Sequence, residues 1–177
     1  LGFRAIRYCL QNKELYRLQL KALVRASAFG DIRIMIPLVT CIDELRQVKT
    51  MIKGIMAELD VENISYNKDL KVGVMIETPS ACLIADILAK ESDFFSIGTN
   101  DLTQYTMAVD RGNPDVAYLY SAYNPAVIRS IKHIIDCAKA ENIPVGMCGE
   151  TASDSLMIPI LLSFGLDEFS VSPTSIL

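Results

Sequence analysis

Residues 94–101 read FFSIGTND, a short apolar run that ends abruptly in polar and carboxylate side chains. An apolar run without polar alternation is typical of a β-strand that is covered on both faces, as in a parallel sheet. The runs that end near residues 76, 148 and 171 are followed by polar groups in the same way. Reactive groups at the carboxyl ends of successive parallel strands are typical of a (β/α)8 TIM-type barrel.

Helical segments separate these runs, because apolar residues recur there at spacings of three and four. The predicted helices cover residues 13–27, 43–59 and 125–140. A further helix is predicted after Thr78, which can cap it, with Pro79 suited to its first position. The predicted buried face of that helix consists of Leu83, Ile84, Ile87 and Leu88. The alternation of helices and strands predicts an α/β fold with a parallel sheet.

The number of strands limits how much of a barrel is present. The predicted strands are residues 32–39, 72–76, 94–97, 145–148 and 169–171. A complete barrel has eight strands and about 250 residues. Residues 1–177 are therefore expected to form one partial barrel domain, about the last five strands, with two open sheet edges. A doubly wound sheet is the alternative, but no G-x-G-x-x-G motif follows a predicted strand.

Composition excludes several classes of protein. The net charge is −4 and no stripe of Lys and Arg occurs, so a nucleic-acid partner is not expected. No apolar run approaches the roughly 20 residues of a membrane helix. Five scattered cysteines without a C-x-x-C motif disfavour a disulfide framework and a zinc site. These features predict a reduced, cytoplasmic protein. Four of its cysteines are expected to be buried and inert: Cys9, Cys41, Cys82 and Cys137.

Glu77 and Asp101 each follow a predicted strand, so both can point into one mouth of the barrel. Two carboxylates suit Mg²⁺, which takes one or two protein carboxylates and completes its octahedron with substrate oxygens and water. The alternative is that each carboxylate caps a helix or pairs with a nearby Arg. The sequence alone leaves both interpretations open.

Cationic and amide groups occur near the same strand ends. Arg4, Arg7 and Arg111 can bind a phosphate or carboxylate with their forked donors, although a solvated surface charge is the usual role of Arg. Asn100 can donate to a phosphate oxygen, or instead form a turn or helix cap. Gly98 has no Cβ and is predicted to let a ligand approach the backbone.

Cys148 lies between glycines at the end of a predicted strand. A thiol at such a position can donate a proton to carbon or act as a nucleophile, whereas a buried, inert cysteine is the alternative. His133 is the only histidine, and it lies at helical spacing among Ile residues, which indicates a structural or surface role.

Residues 93–105, DFFSIGTNDLTQY, and the VDR at 109–111 closely resemble the signature of the phosphoenolpyruvate-utilising enzymes. Four other segments resemble the same family in the same order, so that the resemblance covers essentially the whole chain. They are LGFRAIR at 1–7, IMIP at 34–37, GVMIETP at 73–79 and GMCGE at 146–150.

The resemblance implies a role for each matching residue. Glu77 and Asp101 match the residues that hold Mg²⁺. Asn100 matches the residue that contacts the substrate phosphate, and Arg4 and Arg111 match residues that bind the anionic substrate.

The reaction implied by the resemblance ends at Cys148, which matches the cysteine that protonates the enolate carbon to give pyruvate. Residues 5–7, 167–170 and 174–176 are more similar to the sugar-transport phosphotransferase branch than to the dikinases. A dikinase or a phosphoenolpyruvate synthase remains an alternative, and so does a non-catalytic dimerisation module.

Further partners follow from that branch of the family. The implied protein is a homodimer that passes the phosphoryl group from phosphoenolpyruvate to its own histidine and then to a phosphocarrier protein, for sugar uptake. The domains that carry the histidine and bind the carrier are missing from the 177 residues, so these residues alone are expected to be inactive.

Overall fold

A single parallel sheet organises the fold in the computed structural model, which describes residues 1–176. The five strands are β1 (Arg33–Ile36), β2 (Lys71–Ile76), β3 (Phe95–Gly98), β4 (Val145–Cys148) and β5 (Glu168–Phe169). Their order in the sheet is β1-β2-β3-β4-β5, and every neighbouring pair is parallel. Each strand therefore lies beside the next one in sequence, as in an arc of a barrel, whereas a doubly wound sheet reverses its order. The predicted α/β class and the incomplete barrel are confirmed.

Helices connect the successive strands. Their bounds are α1 (Ile6–Gln11), α2 (Lys13–Ala26), α3 (Ile42–Val61), α4 (Pro79–Leu83), α5 (Ala85–Ala89), α6 (Thr99–Thr106), α7 (Pro125–Ala140) and α8 (Met157–Phe164). Short 3-10 turns lie at Ala117–Leu119, Glu150–Ser153 and Pro173–Ser175. Within residues 1–176, no helix combines the length and the apolar character required to cross a membrane.

Local chemistry explains where the long helices begin. The Asn124 side chain accepts a hydrogen bond from the Ala126 N–H at 2.9 Å, and Pro125 occupies the first helical position of α7. At the start of α3, Glu44 Oε2 accepts from the backbone N–H groups of Thr40 and Cys41 at 2.6 and 3.2 Å. The predicted bounds of α7 are confirmed, and α3 extends only slightly beyond the predicted segment.

The core lies between the sheet and these helices. Ile34 and Ile36 of β1 are buried against the helical layer, whereas Met35 on the opposite face is 39% exposed. The buried face of α3 is the one that its apolar spacing predicts, namely Leu45, Val48, Ile52, Ile55 and Leu59. The opposite face of the sheet, which is the inner face of a barrel, is thus partly open among the described residues.

The segment after Thr78 differs from its prediction. It forms two short helices that break at Ile84, where the backbone leaves helical geometry at φ −108° and ψ 21°. Leu83 is 76% exposed and Ile87 is 43% exposed, so the predicted apolar face was wrong for both. Leu88 is buried as predicted, and the other buried residues are small: Ala81, Cys82, Ala85 and Ala89. Small side chains allow α4 and α5 to contact α7 closely. A prediction based on the spacing of large apolar residues does not identify such small buried residues.

The cysteine expectation also needs one correction. Cys82 and Cys137 are buried as predicted, and Cys9 is half-buried. Cys41 is exposed, because it lies at the N-terminal cap of α3, where the chain turns at the surface.

Gly73 in β2 is required by close packing, and this generates a prediction. A Cβ at Gly73 would lie 2.5 Å from the carbonyl oxygen of Phe94 and 2.6 Å from its Cγ atom. Gly73→Ala should therefore lower the free energy of unfolding by about 2 kcal/mol. Gly54→Ala is the matched control, because it lies on the exposed face of α3 with open space around it, and it should stabilise by about 1 kcal/mol. Urea unfolding measures both, and equal effects of the two variants would contradict the packing argument.

Candidate functional site

The carboxyl ends of β2, β3 and β4 meet at one edge of the sheet. Glu77 directly follows β2, Asp101 lies in the first turn of α6 after β3, and Cys148 is the last residue of β4. The N-terminal segment adds Arg4, and the loop between α6 and α7 adds Arg111. Parallel pairing brings these groups together, because Ile76 pairs with Ile97 and Gly98 pairs with Cys148.

Glu77 is held in place from two sides. Its Oε1 atom accepts a hydrogen bond at 2.6 Å from the backbone N–H of Leu38, in the loop between β1 and α3. Leu38 is fully buried and has a left-handed φ of 57°, a strained conformation for a leucine. Thr78 Oγ1 joins the same loop by donating to the Val39 carbonyl at 2.8 Å. The two loops are thus linked at the carboxylate.

Gly98 makes room for Glu77. A Cβ at Gly98 would lie 2.8 Å from both the Cβ and the Oε2 atoms of Glu77. The prediction that Gly98 admits a ligand to the backbone was wrong, since the glutamate side chain fills that space. The missing side chain therefore lets a carboxylate pack against β3.

The electrostatic environment of Glu77 is unusual. Burial and, to a smaller extent, the negative charge of Asp101 raise the pKa of its carboxyl group, whereas the Leu38 N–H and the charge of Arg4 lower it, and the net pKa is about 7. The carboxylate of Asp101 beside the buried carboxyl group of Glu77 forms a region of negative potential. Such a region favours a cation.

Asp101 is paired with two guanidinium groups. Arg4 Nη2 lies 2.5 Å from Asp101 Oδ2, and Arg111 Nη1 lies 3.5 Å from Oδ1. Arg4 also donates to the hydroxyl of Tyr105 at 3.2 Å. Sequence analysis missed Tyr105, although its spacing of four residues from Asp101 on a helix is a signal that could have found it. The Arg111 backbone N–H donates to Gln104 Oε1 at 3.1 Å, which ties the loop to α6.

Asn100 lies beside the end of β4. Its Oδ1 atom accepts from the Glu150 N–H at 3.2 Å, so its amide nitrogen is the end available to donate to a ligand. Gly149 has a left-handed φ of 92°, and a Cβ there would lie 2.5 Å from Thr99 Oγ1. The Tyr120 hydroxyl donates to the Asn100 carbonyl at 3.4 Å, which sequence analysis also missed.

Cys148 has the surroundings of a protonated thiol. Its Sγ atom lies 3.7 Å from the Ile97 carbonyl and 3.9 Å from Ser96 Oγ. Burial raises the pKa of the thiol, the Ser96 hydrogen bond opposes this, and the charge of Glu77 adds to the rise. The thiol therefore keeps its proton at neutral pH, as a proton donor must.

Two cavities divide the site. A cleft of about 900 Å³ contains Arg4, Arg7, Asp101 and Arg111 along its lining. Cys148 instead lines a cavity of about 350 Å³ on the inner face of the sheet. The guanidinium groups and the Asp101 carboxylate thus share one space, and the thiol opens into a separate one. His133 lies on the exposed surface of α7, with its Nε2 atom 3.7 Å from Cys137 Sγ.

The residues present fit a magnesium ion. No cluster of three or more His, Cys, Asp or Glu side chains with metal-binding geometry occurs among residues 1–176. Mg²⁺ does not need one, because it is commonly held by one or two carboxylates while water and substrate phosphates complete its shell. The adjacent carboxylates of Glu77 and Asp101, with the raised proton affinity of Glu77, have the required chemistry.

Comparison with known sequences relates the whole chain to one family. The model for the phosphoenolpyruvate-binding domain of phosphoenolpyruvate-utilising enzymes matches residues 1–177. Proteins named phosphoenolpyruvate-protein phosphotransferase are 54% identical in Priestia megaterium, 52% in Bacillus subtilis and 50% in Listeria monocytogenes. Each match covers 100% of this chain and 31% of the relative, so the chain spans about a third of their length.

Comparison with solved structures shows the fold alone. A citrate lyase from Burkholderia xenovorans matches with a TM-score of 0.68 at 18% identity, over 90% of this chain and 51% of that one. An HpcH/HpaI aldolase from Desulfitobacterium hafniense matches with a TM-score of 0.59 at 15% identity, over 86% of this chain and 60% of that one. These matches agree with the barrel-like winding of the sheet.

The raised pKa of Glu77 generates a prediction about stability. The folded protein binds this proton more tightly than the unfolded chain, so the free energy of unfolding should fall as pH rises from about 4.5 to about 7. Glu77→Gln removes the titration and should be more stable than the wild type at pH 8 by about 2 kcal/mol. The difference should be smaller at pH 5 and should vanish well below pH 4.5, where the carboxyl group is protonated in both the folded and the unfolded state.

Urea unfolding at pH 5 and pH 8 in the presence of a chelator measures this difference. Glu14→Gln is the control, because Glu14 is an exposed glutamate on α2. Parallel pH profiles for Glu77→Gln and the wild type would contradict the assignment of a raised pKa to Glu77.

Proposed function

Because the chain belongs to the phosphoenolpyruvate-utilising enzymes and matches their phosphoenolpyruvate-binding domain, we propose that it binds phosphoenolpyruvate for phosphoryl transfer to a histidine, with release of pyruvate. One observation carries this proposal. Two carboxylates and two guanidinium groups converge at a single edge of the sheet, with a protonated thiol nearby. This arrangement matches the charges of a phosphate ester that also bears a carboxylate.

The carboxylates of Glu77 and Asp101 would hold Mg²⁺. When bound, the ion supplies positive charge to the phosphate and enolate oxygens as the phosphoryl group leaves. Glu77 suits this role because Leu38 fixes one of its oxygens and thereby its orientation.

Arg4 and Arg111 would bind the anionic substrate. Both line the same cleft, and each has a side chain that is about half exposed, at 49% and 45%, so each can reach a ligand there. Forked donors orient the phosphate and the carboxylate and stabilise charge in the transition state. The free amide nitrogen of Asn100 would donate to a phosphate oxygen.

Cys148 would protonate the methylene carbon of the enolate. The S–H bond breaks as the C–H bond forms, and the electron pair of the enolate becomes the new bond, which gives pyruvate and a thiolate. Ser96 lies near enough to donate a hydrogen bond to that thiolate. A thiol with a raised pKa is protonated at neutral pH, so it carries the proton that this step needs.

The phosphoryl acceptor would be a histidine outside these residues. His133 is the only histidine in the chain, and it lies on the outer surface of α7, away from the strand ends. The name shared by the relatives, phosphoenolpyruvate-protein phosphotransferase, supports a protein acceptor. We further propose a cytoplasmic homodimer that passes the phosphoryl group to a phosphocarrier protein for sugar uptake.

The same names favour this reaction over that of a dikinase or a synthase, since relatives at 50–54% identity share them. A non-catalytic dimerisation module is the remaining alternative, and ligand binding distinguishes it.

Calorimetric titration of the full-length protein with phosphoenolpyruvate and Mg²⁺ tests the binding site. The wild type should release heat, and Glu77→Ala and Asp101→Ala should abolish it, because each removes half of the carboxylate pair. Glu14→Ala is the control on an exposed helix surface. A folded wild type that gives no heat would support the dimerisation module.

Cys148→Ala separates binding from chemistry. The variant should bind phosphoenolpyruvate as the wild type does, yet form pyruvate at least 100-fold more slowly, as expected when a general acid is lost. Pyruvate release measured in the full-length enzyme checks this, with Cys41→Ala as the exposed-cysteine control. Equal rates in Cys148→Ala and the wild type would remove Cys148 from the mechanism.

A further inference from the structure

Three of the four carboxylate oxygens of the proposed metal pair already have a contact. Asp101 Oδ2 contacts Arg4 at 2.5 Å, and Oδ1 lies 3.5 Å from Arg111. Glu77 Oε1 accepts the Leu38 N–H. These contacts leave Oε2 of Glu77 as the remaining oxygen of the pair. A divalent cation that uses Asp101 must therefore compete with a guanidinium group.

Arg4 is the better placed of the two guanidinium groups to be the competitor. Its contact with Asp101 is a full ion pair with a hydrogen bond, whereas the Arg111 contact is 1.0 Å longer. Tyr105 supports Arg4 by accepting a second hydrogen bond from the same nitrogen at 3.2 Å. An arginine keeps its positive charge at any pH at which the protein is folded, so the competing charge is permanent.

Arg4 can also leave without disturbing the core. It precedes α1 in a segment outside regular structure, between Gly2 with φ 104° and Ala5 with φ 52°. Its side chain is 49% exposed, whereas that of Asp101 is 10% exposed and belongs to α6. Ile6, two residues after Arg4, is buried and anchors the start of α1. The arginine is therefore the partner of the ion pair that can be displaced without disturbing the core.

We propose that Arg4 is an internal counter-ion for Asp101. Its guanidinium group stays paired with the carboxylate that would bind the metal until an anionic substrate draws it away. This inference rests on the proposed metal pair of Glu77 and Asp101. It adds a coupling between binding of the cation and binding of the anionic substrate. The anion frees Asp101 by binding Arg4, so it strengthens cation binding. By linkage, the cation strengthens anion binding by the same factor.

Binding of Mn²⁺ alone, without any substrate, tests the proposal most directly. The signal of free Mn²⁺ in electron paramagnetic resonance measures its affinity for the full-length protein. Arg4→Gln should bind Mn²⁺ about fivefold more tightly than the wild type, the factor expected for loss of one partly exposed ion pair. Tyr105→Phe should shift affinity in the same direction by a smaller factor, because it removes only the supporting hydrogen bond.

Arg7→Gln is the charge-matched control. Arg7 lines the same cleft, but its hydrogen bond goes to the Gly2 carbonyl, at 3.3 Å, rather than to Asp101. Any gain that reflects only the loss of one positive charge appears equally in Arg7→Gln and Arg4→Gln. A gain in Arg4→Gln no larger than that in Arg7→Gln would overturn the counter-ion proposal. Circular dichroism verifies that each variant is folded.

Asp101→Asn separates failure of this proposal from failure of the proposed function. If Mn²⁺ binding depends on Asp101 but Arg4→Gln does not tighten it, only the counter-ion is overturned. If Asp101→Asn binds Mn²⁺ as the wild type does, the metal pair and the counter-ion are both overturned. Inorganic phosphate provides the second measurement. It should tighten Mn²⁺ binding more in the wild type than in Arg4→Gln, and the reverse order would contradict the coupling.

Discussion

The proximity of two carboxylates, Glu77 and Asp101, is the constraint on which the rest of the site depends. Burial and mutual repulsion make the charged pair costly, as the raised pKa of Glu77 records. The surrounding groups offset that cost. A backbone N–H donates to Glu77, and two guanidinium groups contact Asp101. The arrangement is polar and preorganised before any ligand enters, which is the condition under which electrostatic catalysis is most effective.

Unusual backbone positions support this pair. Leu38 adopts a left-handed conformation although it is fully buried, and its N–H reaches Glu77 as a result. The side chain of Glu77 occupies the space where a Cβ of residue 98 would lie, so only glycine fits there. Gly149 packs against Thr99 in the same way. Strain of the kind seen at Leu38 persists only where surrounding structure enforces it, and it is concentrated at functional sites. Leu38 lies on a loop that follows a parallel strand, and barrel enzymes place their chemistry on such loops.

The two cavities would separate two chemical tasks of the proposed reaction. Charged groups line the larger cleft, which suits binding of an anion beside a cation. The thiol of Cys148 opens on the inner face of the sheet, where burial keeps it protonated. The cationic groups would hold a planar enolate at its oxygens from one cavity. The thiol would protonate its carbon from the other. The division therefore agrees with the proposed order of events.

The sequence by itself determined the parallel α/β class, the five strands and the bounds of α7, because apolar periodicity is a local property of the chain. It also identified the strand-end groups, from Glu77 to Cys148, since polar residues after apolar runs are visible without coordinates. Only the tertiary structure decided which groups touch. Arg4 and Asp101 are 97 residues apart, and Leu38 and Glu77 are 39 apart, so no spacing rule pairs them. The same reason explains the role of Gly98, whose close neighbour Glu77 comes from the end of another strand.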